Sequence, residues 1–221
     1  MWSGPRGVVI EGVRSGRAAP FPGHSGARAD HRVRFPPAHA RGADDAGPMT
    51  TYTALPLPPA AHKELCTADD AGRPAEPFTA REDGVPQDAV GALLRCCLRD
   101  ARAGERIALV AYAPLRRWAA ATGAAPGAYD EQGPVFVHAG PCGGPDAAAG
   151  RYPAVRAGAL RVLRRYNARG QITGGRYLEV PEDAAAAFDA ALGEAFADSE
   201  TALVHVRAVE YGCFQFEVRR P

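Results

Sequence analysis

Alternation of apolar and polar side chains after residue 49 predicts a series of short strands joined in hairpins. The strand-like runs cover residues 52–55, 92–98, 106–113, 134–139, 159–166, 171–180, 201–208 and 213–219. Short turns such as Asn167 to Gly170 separate neighbouring runs, which is typical of antiparallel pairing. Two short helical segments, 59–66 and 115–122, are predicted between the strands.

One longer amphipathic helix is predicted over residues 181–197, with Pro181 at its first helical position. Phe188, Leu192 and Phe196 recur every four residues and form one apolar stripe that faces a core. Many short strands with one main helix predict the α+β class, as a single domain built on a mostly antiparallel sheet of hairpins.

Residues 1–48 have a different composition, with eight Gly, six Pro and no Leu. Such a segment cannot bury enough apolar surface to offset the entropy of ordering it. We therefore expect residues 1–48 to be a disordered leader, or an upstream extension from a misassigned start at Met1 instead of Met49. The single folded domain is expected to span residues 49–221.

The charge balance gives no reason to expect a nucleic-acid or membrane partner. Residues 1–48 hold seven Arg against four acidic residues, whereas residues 49–221 hold 19 basic and 21 acidic residues. The longest apolar stretch, 107–113, stops at Pro114, far short of a membrane span. Five Cys is an odd count that does not suit a secreted disulfide framework, so we predict a soluble, reduced, cytoplasmic protein.

Several catalytic chemistries are excluded by residue types that are scarce after Met49. Ser199 is the only serine there, and no nucleophile-elbow motif surrounds it, which argues against a serine hydrolase. Lys63 is the only lysine, which excludes a P-loop and makes a Schiff-base mechanism improbable. An enzyme of this sequence would have to use Cys, His, Tyr, Arg or carboxylate side chains.

The last hairpin brings one set of polar candidates together. With Gly212 in a left-handed bulge, Arg207 pairs with Cys213 and His205 pairs with Gln215. This register puts five apolar residues on one side, namely Val204, Val206, Phe214, Phe216 and Val218. A thiol beside a guanidinium would carry more thiolate character. The favoured interpretation is nevertheless a solvated face, because any half-buried hairpin alternates in this way.

A second set of candidates follows the strand at residues 134–139. His138 ends that strand and Cys142 follows four residues later, so the two side chains suit a pair of metal ligands, or a nucleophile with its base. Glu131 could orient the His138 imidazole. The adjacent Cys96 and Cys97 are expected to point to opposite faces of a strand, so only one of them could join a common site.

A zinc or thiol centre would require these sets to converge. Its members would be Cys97, His138, Cys142, His205 and Cys213. Structural thiols and satisfied core histidines are commoner than such a centre, so no cofactor is predicted and zinc is retained as the less favoured alternative.

Several motifs resemble a known family. They include Arg95-Cys96-Cys97-Leu98, Gly104-Glu105-Arg106, Gly133-Pro134-Val135-Phe136-Val137-His138-Ala139 with Cys142, Arg165-Tyr166-Asn167, and His205-Val206-Arg207 with Tyr211-Gly212-Cys213. From Tyr52 to its C-terminus the chain resembles a bacterial family called domain of unknown function 1203. The resemblance implies a small cytoplasmic bacterial protein that starts near Met49, and it supplies no activity, cofactor or site residue.

Two functional hypotheses follow from the sequence. The first is a non-catalytic binding or accessory module, because no catalytic motif is present. The alternative is an enzyme or metal-binding protein that uses an activated thiol or a zinc-type site. The candidates for that alternative are Cys213, His205, Arg207, His138 and Cys142, with Cys97 as a further metal ligand.

Overall fold

The computed structural model describes residues 51–81, 91–145, 151–152 and 156–221. The expectation of a disordered leader concerns residues 1–48, which lie outside the described residues. The helices are α1 (Pro59–Leu65), α2 (Pro114–Thr122) and α3 (Ala184–Ala197). The strands are β1 (Phe78–Thr79), β2 (Leu93–Leu94), β3 (Arg99–Asp100), β4 (Arg106–Tyr112), β5 (Gly133–His138), β6 (Leu160–Tyr166), β7 (Ile172–Glu179), β8 (Leu203–Ala208) and β9 (Phe214–Arg219).

The strands form two mostly antiparallel sheets, which confirms the predicted α+β class. One sheet has five strands in the order β1-β4-β5-β2-β3, and the other has four in the order β7-β6-β8-β9. Only the pairing of β2 with β5 is parallel among the described strands. None of the helices in the described ranges is both long and apolar enough to cross a membrane.

Three of the predicted elements differ from the structure by more than a shift of one or two residues at an end. The predicted strand 92–98 is extended only at β2, because the chain turns at residues 95–98 before it continues into β3. The predicted strand 52–55 contributes a single bridge, between Leu55 and Glu217. Helix α3 begins at Ala184 and not at Pro181, because the Asp183 carboxylate accepts a hydrogen bond from the Ala186 N–H and caps the first turn.

The apolar stripe of α3 packs on one face of the four-stranded sheet, as predicted. Phe188 and Leu192 are fully buried there, and Phe196 stacks on the Tyr52 ring with centroids 5.4 Å apart. A second core lies on β2, β4 and β5 and includes Ile107 and Val137, both fully buried. A third and smaller core packs Leu115 and Trp118 of α2 against Tyr166 of β6.

The predicted register of the last hairpin is wrong by two residues. His205 pairs with Glu217, and Val206 pairs with Phe216, before the register shifts so that Arg207 meets Phe214. A slip of two residues keeps every side chain on its face, so four of the five apolar residues share the α3 side as expected. Phe214 lies beyond the irregularity and joins the other core, where its ring contacts Tyr112 at 5.6 Å.

The face of this hairpin that carries His205 is buried, which corrects the expectation of a solvated surface. The His205 side chain is 1% exposed and packs between the rings of Tyr166, at 4.8 Å, and Phe214, at 5.1 Å. Alternation along a strand separates its two faces but does not reveal whether a second layer covers the polar one.

Candidate functional site

A tight turn between β2 and β3 presents two adjacent thiols. The Leu94 carbonyl oxygen accepts hydrogen bonds from the N–H groups of Cys97, at 3.3 Å, and Leu98, at 2.7 Å. Leu98 has a φ of +55°, a left-handed conformation, and its buried side chain is anchored in the core beneath α3. Because the chain turns here, the expectation that Cys96 and Cys97 point to opposite faces is wrong.

The end of β5 lies directly against this turn. The Arg95 N–H donates to the Phe136 carbonyl oxygen at 2.9 Å, which continues the parallel pairing of β2 with β5. This contact brings His138 Nδ1 within 3.3 Å of the Cys96 sulfur and 3.8 Å of the Cys97 sulfur. The His138 backbone N–H also donates to the Cys96 sulfur at 3.3 Å.

Cys142 completes the group from the loop that follows β5. The ligand atoms of Cys96, Cys97, His138 and Cys142 all lie within 4.8 Å of one another. We call these four residues the thiol–imidazole cluster. Cys96 and Cys97 are buried, whereas His138 and Cys142 are partly exposed at its outer side. Three soft sulfur donors with one imidazole nitrogen form a ligand set that zinc prefers.

An arginine–glutamate pair lies on the outer side of the imidazole. Arg99 donates to Glu105 at 2.7 Å, and its Nη2 also lies 3.1 Å from His138 Nε2. Glu105 Oε2 is 3.8 Å from the same nitrogen. The hydrogen bonds from Arg99 lower the pKa of Glu105 to about 2, so this carboxylate is ionised at neutral pH. Because a guanidinium can only donate, Nε2 of a neutral His138 imidazole accepts this hydrogen bond from Arg99.

The two adjacent thiols differ in their tendency to lose a proton. A hydrogen bond from Cys96 lowers the pKa of Cys97, and the Arg99 backbone N–H and the His138 imidazole act in the same direction. The same hydrogen bond, together with burial, raises the pKa of Cys96. Cys97 is therefore the preferred thiolate of the pair, and the thiolate is the form that binds metals and acts as a nucleophile.

A further thiol borders the cluster from helix α1. The Cys66 sulfur lies 3.5 Å from both His62 Nε2 and the His138 carbonyl oxygen. Burial and the nearby Cys142 raise the pKa of Cys66, which favours its protonated form. The Cys66 sulfur therefore lies beside the cluster but is not one of its four ligand atoms.

The structure brings together only part of the predicted set. Cys97, His138 and Cys142 meet, and Cys96 joins them, but the four-atom group does not include His205 or Cys213. Sequence reasoning also missed the roles of Arg99 and Glu105 near the imidazole. For Glu105, and for the addition of Cys96 to the cluster, the one sequence signal was that both residues occur in the motifs of the family resemblance. Arg99 lies outside those motifs.

The remaining candidates make other contacts. His205 Nε2 lies 3.2 Å from a Glu217 carboxylate oxygen. Arg207 donates to the Gly212 carbonyl oxygen at 2.9 Å and to Glu131 at 2.6 Å. Since Glu131 pairs with Arg207 and not with His138, the expectation that it orients the imidazole is wrong. Cys213 lies at a different surface, a groove beside the buried Arg95 and Gln215.

Burial of His205 predicts a stability that depends on pH. Burial lowers the pKa of His205 from its ordinary 6.5, although the hydrogen bond with Glu217 opposes the shift. Below pH 6.5 the unfolded chain therefore takes up a proton that the folded chain does not, and the free energy of unfolding decreases as the pH falls. The slope contributed by this group is at most about 1.4 kcal/mol per pH unit.

Urea unfolding of the wild-type chain and of His205→Gln between pH 7.5 and 5.5 measures this contribution. Gln retains an N–H donor for Glu217 but has no titrating group, so we expect a flatter pH dependence in the variant. An equal slope in both proteins would show that His205 is not the titrating group.

A family model described as "Protein of unknown function (DUF1203)" matches residues 91–220, more than half of the chain. The match includes all four residues of the thiol–imidazole cluster. No curated protein and no solved structure shows a significant match to the chain.

Proposed function

The chain belongs to the DUF1203 family of proteins of unknown function, and we propose that it is a zinc-binding module whose four ligands are Cys96, Cys97, His138 and Cys142. The observation that carries this proposal is the convergence of their ligand atoms within 4.8 Å of one another. In this function the metal cross-links the 95–98 turn to the end of β5 and to the loop that follows it.

The distances within the cluster fit tetrahedral zinc. With Zn–S bonds of about 2.3 Å and a Zn–N bond of about 2.0–2.1 Å, a sulfur and a nitrogen on one zinc ion lie roughly 3.6 Å apart. The two measured distances from His138 Nδ1 are 3.3 Å to the Cys96 sulfur and 3.8 Å to the Cys97 sulfur. They bracket the separation that zinc requires for these two sulfur–nitrogen pairs.

Metal binding through Nδ1 requires the hydrogen bonds around His138 to rearrange. A ligand imidazole that binds through Nδ1 carries its proton on Nε2, where a carboxylate usually accepts it. Glu105 already lies on that side, 3.8 Å from Nε2. Metal binding through Nδ1 would therefore require the Arg99 donor to turn away from Nε2, so that Glu105 accepts the Nε2 proton.

The ligand count favours a structural site over a catalytic one. Four protein ligands fill a tetrahedral shell, whereas catalytic zinc sites retain an open position for water or substrate. The inner thiols support the same conclusion, because the Cys97 side chain is only 1% exposed and that of Cys96 only 5%. A binding or accessory role therefore fits this cluster better than turnover of a substrate.

Metal analysis of the purified full-length chain tests the proposal. We expect one zinc ion per chain in the wild type, and less than a tenth of an ion in Cys97→Ser and in Cys142→Ser. Cys66→Ser and Cys213→Ser are matched controls and should retain the full content, because both thiols lie outside the four-atom group. A wild-type chain that remains metal-free after incubation with zinc would refute the proposal.

A thiol-dependent catalyst is the second candidate, because the Cys97 thiolate lies beside a His138 imidazole that faces Glu105. Iodoacetamide labelling of the metal-free folded chain near pH 7 separates the two functions. We expect slow labelling of Cys97 because it is buried. Labelling of Cys97 that is faster than that of the partly exposed Cys213 would favour the catalytic alternative.

A further inference from the structure

A groove of about 940 Å³ is lined by residues outside the thiol–imidazole cluster. Its walls combine apolar side chains with buried polar ones. The apolar part includes Leu93, Leu109 and Phe136, and the polar part includes Arg95, Arg161 and Gln215. Gln215 is 8% exposed, so its amide is also largely shielded from water.

Arg95 places a buried positive charge at this groove. Its side chain is 5% exposed, and its Nε and Nη2 groups donate to the Phe214 carbonyl oxygen at 2.9 and 2.7 Å. Its Nη1 group donates to the Leu93 carbonyl oxygen. These partners are neutral, and no carboxylate of the described residues pairs with this guanidinium. A buried cation that only neutral groups contact is costly, so its charge requires a separate explanation.

A second buried guanidinium adds to the positive charge. Arg161 is 8% exposed, and its Nη1 lies 3.6 Å from Glu210, whose side chain is 43% exposed at the rim. Burial, and to a smaller extent the nearby Arg161 charge, lowers the pKa of Arg95 to about 10. Arg161 also donates to the Leu160 carbonyl oxygen at 2.8 Å. The groove is lined by a second carboxylate, Asp100, which pairs with Arg156 at 3.5 Å.

The donors that remain on Arg95 define the chemistry of a ligand. A guanidinium has five N–H groups, and the three hydrogen bonds to carbonyl oxygens leave two of them. A carboxylate accepts charge-assisted hydrogen bonds from such N–H groups, and an apolar body attached to it would lie along Leu93, Leu109 and Phe136. A small hydrated inorganic anion would leave these apolar walls uncovered.

We propose that this groove binds an organic carboxylate, with its anionic head at Arg95 and Arg161 and its apolar body against Leu93, Leu109 and Phe136. The site lies on residues separate from the four zinc ligands. Binding of the carboxylate offsets the charge of the buried Arg95 guanidinium and covers the apolar walls of the groove.

Calorimetric titration of the full-length chain tests this binding with octanoate, 1-octanol and inorganic phosphate as probes. Octanoate and 1-octanol share an apolar body and differ in charge. We expect octanoate to bind at least tenfold more tightly than either of the other two. Equal affinity for octanoate and 1-octanol would show an apolar groove without an anion site, and tighter binding of phosphate would overturn the assignment to carboxylates.

Substitution of the arginines locates the site. We expect Arg161→Gln to weaken octanoate binding at least tenfold, and Arg95→Lys to weaken it while the buried charge is retained. Arg106→Gln is the control, because Arg106 lies on β4 outside the groove and donates to Pro77 and Thr79. Octanoate binding that Arg161→Gln leaves unchanged would refute the proposal. Zinc content is a separate measurement, so this proposal and the zinc proposal can fail independently.

Discussion

Removal of the proposed zinc ion should lower the free energy of unfolding by about 4 kcal/mol. This value compares the metal-free chain with the chain in free zinc at about a thousand times the dissociation constant. The reason is that only the folded chain brings the 95–98 turn to the end of β5, so the unfolded chain has no preformed site. For a domain of this size, a loss of 4 kcal/mol corresponds to a decrease in melting temperature of roughly 8–16 °C.

Calorimetric melting of the wild type and of Cys142→Ser, each with and without zinc, measures this effect. Cys142 is the best ligand to replace, because it lies partly exposed in a loop and packs against the core without being one of its buried members. We expect a large zinc-dependent shift in the wild type and none in Cys142→Ser. Cys213→Ser should keep the wild-type shift. A zinc-dependent shift that survives in Cys142→Ser would show that the ion stabilises the chain from another place.

The fold class could be predicted because its signals are local. The stripe of Phe188, Leu192 and Phe196 identifies α3 within a few residues of its observed ends. The turn from Asn167 to Gly170 gives the pairing of β6 with β7 directly. The separation into two sheets could not be predicted in this way, because it depends on contacts between strands that are distant in sequence.

The thiol–imidazole cluster was only partly predictable for the same reason. Whether Cys96 and Cys97 point to one side depends on the turn at residues 95–98, where the apolar character of the segment suggests a continuous strand. The contact of Cys96 and Cys97 with His138 also depends on the parallel pairing of β2 with β5. Parallel strands are not joined by a tight turn, so no turn motif in the sequence indicates this pairing. The closeness of His138, at the end of β5, to Cys142, in the loop that follows, could be read from the sequence. Their contact with Cys96 and Cys97 could not.

The last hairpin shows what alternation alone can establish. The period of two correctly placed Val204, Val206, Phe216 and Val218 on one face, because a slip of two residues preserves the side of every residue. It could not reveal that a second layer buries His205, or that the bulge carries Phe214 to the other core. The predicted pairing of Arg207 with Cys213 and of His205 with Gln215 was wrong because the register of the hairpin was wrong. Cys213 lines the same groove as Arg95.

Replacement of Phe188 by Ala should lower the free energy of unfolding by about 3–5 kcal/mol, the usual cost of truncating a fully buried aromatic side chain. The Phe188 ring is completely buried, stacks on Tyr152 with centroids 4.9 Å apart, and lies 5.9 Å from the ring of Phe216. Its loss leaves a cavity between α3 and the four-stranded sheet that these neighbours cannot fill without moving.

Urea unfolding of Phe188→Ala, with Tyr177→Ala as the matched control, measures this cost. Tyr177 is also aromatic but 55% exposed on β7, so its truncation should change stability by less than about 0.5 kcal/mol. Because the core beneath α3 is separate from the core that holds Cys96 and Cys97, folded Phe188→Ala should still bind one zinc ion. A folded variant that has lost its zinc would show that the two cores are coupled through Leu98, the one residue of the turn that is anchored beneath α3.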